Sequence, residues 1–157
     1  MIIRFGEEKD YTQLAEMKWI HGAEDDIDYN ENNLDGVNKS EFISRFTEFL
    51  REHKEYEIFI AEENNVVISA MFVYRIPKIP KPNGHAESIA YLTNVFTLKE
   101  YRNKGIGTKL LKYIKKYLTE QKCELILVFP SEKSISWYER NDFTNINEVF
   151  ECDLTEE

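Results

Sequence analysis

Apolar residues along this chain recur with two alternating periods, and the changes of period mark its elements. Residues 2–5, Ile-Ile-Arg-Phe, predict a short strand, and a helix follows with Asp10 as its cap, Gln13 at the reciprocal capping-box position, and Leu14, Met17 and either Ile20 or His21 facing inward. From Gly22 to Gly36 the period disappears into Asp, Glu and Asn, which predicts a loop. Asn38 with Glu41 opens a second helix whose stripe is Phe42, Ile43, Phe46, Phe49 and Leu50. Strands are expected over 57–62 and 66–75, joined by Asn64-Asn65, two residues that tolerate the left-handed backbone of a tight hairpin. The run 76–85 holds three of the four prolines and reads as an exposed loop.

A strand over 88–98 then leads into a helix marked by Ile106, Leu110, Leu111, Ile114 and Leu118, a spacing near 3.6 that leaves Lys109, Lys112, Lys115 and Lys116 in water. Residues 123–129 form a continuous apolar run, expected to be a strand buried on both faces and ended by Pro130. A last helix is expected from its N-cap Ser131 to about Asn141, and a last strand over 148–154. The predicted order is β-α-α-β-β-β-α-β-α-β. This is an α/β (α+β) arrangement in which a mixed central sheet is flanked by helices.

With 157 residues, of which 42% are hydrophobic, the chain has material for one core and is read as one domain over residues 1–157. Cys123 and Cys152 lie in strand-like runs without a partner pattern, so buried reduced thiols are expected. His21, His53 and His85 are scattered and no metal site is expected. No apolar run approaches a membrane span and the N-terminus lacks a signal-peptide pattern, so a cytoplasmic protein is expected. A net charge of −9 argues against nucleic acid or an anionic membrane as partner.

Against that acidity, Lys99, Arg102, Lys104, Lys109 and Lys112 gather around one strand-to-helix junction containing Gly105 and Gly107. Such a junction leaves backbone N–H groups unpaired at the positive end of a helix and can hold a phosphate or pyrophosphate. A dinucleotide fingerprint would need a small residue where Leu110 stands, and a P-loop would need Gly-Lys-Ser/Thr where the chain has Gly107-Thr108-Lys109. Both are set aside.

The segment from Val95 to Gly107, with Arg-x-x-Gly-x-Gly directly after a strand, resembles the acetyl-CoA-binding motif of the GNAT-type N-acetyltransferases. A second stretch, Ser131 to Phe143, resembles that family's last-helix pattern, and with it the resemblance covers nearly the whole chain. The resemblance implies acetyl transfer from acetyl-CoA to a primary amine of a small molecule or peptide, by direct attack. The alternative within the same fold is a noncatalytic acyl-CoA-binding or regulatory module. It implies that backbone groups of Val95, Phe96 and Thr97 pair with the pantetheine arm. It further implies that Arg102, Asn103, Lys104, Gly105, Ile106, Gly107 and Thr108 take the pyrophosphate, and that Ser131, replacing the usual asparagine, touches the pantetheine.

Tyr138 falls where the family places a general acid for the departing thiolate, a fitting role for a phenol with an ordinary pKa near 10. Asp142 replaces the family's glycine before Phe143. No carboxylate base is legible: Tyr91 and Ile126 stand where relatives carry glutamates, leaving Glu87, His85, Glu24 or water. Glu24, Asp25 and Asp26, in the acidic stretch that would line the acceptor side, are expected to draw a cationic amine. A homodimer stays open.

Overall fold

The computed structural model describes residues 1–155. Five strands form one sheet in the order β1 (Ile2–Phe5), β2 (Tyr56–Glu63), β3 (Val66–Pro77), β4 (Ser88–Thr97) and β5 (Cys123–Val128). The first three pairings are antiparallel and β4–β5 is parallel. Strand alternation gives the sheet two apolar faces. One, with Ile58, Ile60, Ala70 and Phe72, packs on Leu14 and Met17 of α1 (Tyr11–Asp28) and Leu50 of α2 (Lys39–Glu52). The other, with Phe59, Met71, Val73 and Leu92, packs on the stripe Leu110, Leu111, Ile114 and Leu118 of α3 (Ile106–Glu120) and on Tyr138 of α4 (Ile135–Arg140).

Local signals are met where the chain can satisfy them locally. Asn64 and Asn65 both adopt positive φ, 51° and 63°, in the β2–β3 turn, and the Asn38 side chain caps α2 by accepting from Glu41 N at 3.1 Å. The start of α1 differs from expectation. Asp10 does not cap it, because its carboxylate takes Arg4 at 2.7 Å and Glu7 N at 2.8 Å, and the reciprocal pair is Glu7 with Asp10 around a preceding 3₁₀ turn. Gln13 is instead spent on tertiary structure. Its amide donates to Val67 O and accepts from Val67 N, both at 3.0 Å, next to the shift in β2–β3 register. Gln13→Ala removes both bonds and strands two strand groups, so a loss of about 1–3 kcal/mol is expected. A urea titration would show it as a lowered midpoint at constant slope, and an unchanged midpoint would refute it.

Five further expectations are corrected. Residues 22–28 are helical, since α1 runs on to Asp28. β3 extends to Pro77, which pairs with Ser88 at the end of the strand where a missing N–H costs little. The segment 148–154 is not a strand: Val149, Phe150 and Leu154 are exposed and the element order ends at α4. β5 consequently is an edge strand whose Leu125 is 40% exposed, rather than one buried on both faces. The thiols are not buried as expected, because β5 is an edge strand and 148–154 is no strand: Cys123 is half-buried and Cys152 exposed, both as free cysteines. No helix among the described residues is long and apolar enough to cross a membrane.

Candidate active site

A cleft of about 670 Å³ opens where β4 and β5 part. Their parallel ladder ends at Leu92 opposite Val128, while β4 continues to Thr97. Within that free stretch β4 bulges: Ala70 faces Phe96 and Phe72 faces Thr93, so Met71 alone opposes Asn94 and Val95, and Asn94 takes a φ of 50°. The bulge presents the β5-facing backbone of Val95, Phe96 and Thr97 to the cleft without a strand partner, an edge on which an extended chain can lie.

The floor is the turn into α3. Asn103 and Gly105 adopt left-handed conformations, φ 60° and 73°, which fold the chain so that successive amides converge. Among the described residues no acceptor takes the N–H groups of Asn103 through Thr108, whereas Lys109 N donates to Gly105 O at 3.0 Å. A β-carbon on Gly107 would stand 3.3 Å from the Trp137 ring and 3.7 Å from Thr97 Oγ1, so the backbone here is bare on the cleft side. Orphan amides at a helix start suit a pyrophosphate, and the β4 edge without a strand partner suits an amide-bearing arm; Lys104 does not line the cleft, its ammonium lying 5.4 Å over the Tyr101 ring. The donors present fit acetyl-CoA.

Arg102 is not aimed at those amides. Its Nε donates to Thr97 O at 2.8 Å, a second nitrogen meets Glu24 at 2.6 Å, and the guanidinium lies 5.0 Å over the Phe96 ring. It thus locks the last turns of α1 onto β4. This pairing also explains the helical 22–28 segment, whose carboxylates near a helix C-terminus oppose the dipole. Glu24 is neutralised by Arg102, Asp28 by Lys133 at 2.9 Å, and Asp25 stands 3.5 Å from His21. Glu24 and Asp25 line the cleft; Asp26 does not, because its carboxylate holds Asn33 N at 2.7 Å and Leu34 N at 3.1 Å in the returning chain. Those amides keep its pKa below the usual carboxylate value.

Ser131 reaches the cleft as the cap of a 3₁₀ turn, its hydroxyl donating to Ser134 Oγ at 3.0 Å, and α4 begins later than expected, at Ile135. Tyr29 and Lys133 close the rim: Lys133 N donates to Tyr29 Oη at 3.0 Å. Tyr138, in contrast, is 6% exposed and faces away from this cleft into a second cavity of about 640 Å³ beside β5, lined also by Ile126, Val128 and Phe129. It belongs to the apolar cluster containing Leu92 and Val128, the last rung before the strands part. Burial pushes its phenol up to about 12. Asp142 adopts φ 67°, the glycine-like conformation.

The expected base candidates His85 and Glu87 do not line the cleft; Glu87 is exposed beside Lys122. His21 does, and its place in the sequence marks it only as a candidate for the inward face of the first helix. No group of three or more His, Cys, Asp or Glu among the described residues could hold a metal.

The sequence model described as the acetyltransferase (GNAT) family matches residues 19–143. Among curated protein sequences none matches the chain. Solved structures resemble it over nearly full length. One is a predicted acetyltransferase with acetyl-CoA from Clostridium acetobutylicum, 24% identical, with a TM-score of 0.74 and coverage of 98% of this chain and 96% of that one. A GCN5-related N-acetyltransferase from Ralstonia eutropha JMP134 is 15% identical, with a TM-score of 0.75 and 97% of both chains covered. Glucosamine-6-phosphate N-acetyltransferase from Arabidopsis thaliana is 17% identical, with a TM-score of 0.68 and coverage of 98% and 97%. At these identities the likeness is one of fold: a five-stranded mixed sheet flanked by helices.

Proposed function

Because the chain belongs to the GNAT acetyltransferase family, we propose that it transfers an acetyl group from acetyl-CoA to a primary amine by direct attack. The observation that carries this reading is the run of unaccepted amides from Asn103 to Thr108 beside the stretch Val95–Thr97, which has no strand partner on its β5 side. Pyrophosphate held on the first would lay the pantetheine along the second, with Ser131 across the cleft, so that the thioester enters the gap between β4 and β5. An N–H at the bulge would polarise the thioester carbonyl, where charge develops as the amine attacks. The bond from carbonyl carbon to nitrogen forms, the bond to sulfur breaks, and the thiolate takes a proton. Tyr138, beneath the end of the β4–β5 ladder and neutral at working pH, is our donor for that proton.

Asp25 is the carboxylate lining the cleft that no Lys or Arg pairs among the described residues, so the proposed acceptor is cationic and docks against it. Thiol release from acetyl-CoA across polyamines, amino sugars, amino acids and peptide N-termini tests the reaction. The KM of spermidine is expected to lie below that of n-butylamine at low salt, with the ratio closing as salt reaches 1 M and the Debye length falls to ~3 Å. A salt-independent ratio would remove the electrostatic argument for a cationic acceptor. Tyr138's position outside the cleft lining favours a second reading, a noncatalytic acyl-CoA-binding module. Tight acetyl-CoA binding without thiol release from any amine would select it.

A further inference from the structure

We propose that His21 is the proton acceptor for the incoming ammonium group, its Nε2 taking the proton that the amine must lose before it attacks; the assignment rests on the acetyl-transfer reading above. His21 is the one imidazole lining the cleft among the described residues. Its ring lies on Phe96 at 4.8 Å and 18°, which fixes it against the stretch of β4 proposed to hold the thioester arm. Nδ1 is buried without a hydrogen-bond partner, leaving Nε2 as the open nitrogen, 3.5 Å from Asp25 Oδ2.

The surroundings favour a neutral ring at rest. Burial first, then the cations Lys18 and Arg102, hold the pKa below the ordinary imidazole value, against the opposing carboxylates Asp25 and Glu24. Accepting at Nε2 requires the neutral tautomer that carries its proton on Nδ1. The competing carboxylates are engaged, Glu24 by Arg102 at 2.6 Å and Asp28 by Lys133 at 2.9 Å.

When the ammonium approaches, its N–H bond breaks with the electron pair left on the amine nitrogen, and a new N–H forms at Nε2. Asp25 then faces the imidazolium and offsets its charge until the proton leaves to water. The carboxylate that attracts the cation thereby also positions the group that discharges it.

The test compares two acceptors on the intact protein, n-butylamine, which is an ammonium ion at pH 7, and 2,2,2-trifluoroethylamine, which is largely neutral there. His21→Phe keeps the stack on Phe96 and removes both nitrogens. Its kcat/KM for n-butylamine is expected to fall by about 10²–10⁴-fold, with a fall of less than about tenfold for trifluoroethylamine and an unchanged acetyl-CoA Kd by calorimetry. Equal falls for both amines would mark a structural role and overturn the assignment, as would an unchanged rate with n-butylamine. Should His21→Phe lose acetyl-CoA binding, His21→Gln carries the same comparison. An unaltered protein that releases no thiol with any amine overturns the acetyl-transfer reading and the role of His21 with it, whereas turnover that survives in both variants overturns His21 alone.

Discussion

Tyr138→Phe is expected to bind acetyl-CoA as the parent does and to transfer acetyl groups about 10²–10⁴-fold more slowly. The substitution removes one oxygen. That oxygen has no hydrogen-bond partner among the described residues, burial being the sole cause of the raised pKa. The ring meanwhile keeps its edge contacts with Trp137 at 4.9 Å and Phe143 at 5.2 Å. Losing an unpaired hydroxyl from an apolar cluster costs little stability, so a fall in rate would report chemistry rather than folding. With its phenol pushed up to about 12, Tyr138 stays protonated through the working range, and no alkaline loss of kcat from its ionisation is expected below about pH 11. Stopped-flow thiol release under single-turnover conditions makes the comparison. A parent-like rate where chemistry limits turnover would show that the thiolate takes its proton elsewhere.

Gly107→Val is expected to weaken acetyl-CoA about 10²–10⁴-fold. The new β-carbon would stand 3.3 Å from the Trp137 ring, 3.7 Å from Thr97 Oγ1 and 3.9 Å from Met71 Cε, so the valine methyl groups would have to displace these residues of the cleft wall or enter the cleft beside the turn. If they keep a phosphate from two of the turn's amides, two charge-assisted bonds of about 1.5–3 kcal/mol each are forfeited, and each 1.4 kcal/mol is tenfold in Kd. Gly107→Ala should lose far less, since a single methyl needs only a small yielding of Trp137. Titration calorimetry with acetyl-CoA reads both variants, and circular dichroism confirms folding. A folded valine variant with unchanged affinity would place the cofactor elsewhere.

What could be read from the sequence follows from how far the deciding interactions reach. The Asn64-Asn65 turn, the Asn38 cap and the α3 stripe are settled within a few residues, and each was legible. The turn at Gly105 and Gly107 was legible too, because its glycines and its orphan amides are a local pattern. The helical 22–28 segment was not, since its carboxylates are compensated by Arg102 and Lys133, far along the chain. Gln13 misled for the same reason, its partner being Val67 rather than the helix start. The 148–154 segment shows the converse: β-branched and aromatic residues such as Val149 and Phe150 state that a strand can form, while a strand exists only where an edge receives it. His21 acquires its meaning from Phe96 and the cleft wall, neither visible from its neighbours in sequence.

The short ladder between β4 and β5 has a thermodynamic consequence. β2 and β3 are paired along both sides, whereas β5 is held by pairings that end at Leu92 and Val128, with open edge beyond. Stability is distributed accordingly, and local opening of the β4–β5 seam costs less than opening between β2 and β3. A ligand that lies along Val95–Thr97 and bridges to the other wall supplies rungs that the polypeptide lacks. By mass action such a ligand raises the opening free energy of the seam with its concentration. Cofactor binding and the last step of sheet assembly are then one equilibrium, and slow exchange of the β5 amides becomes a property of the complex rather than of the chain alone.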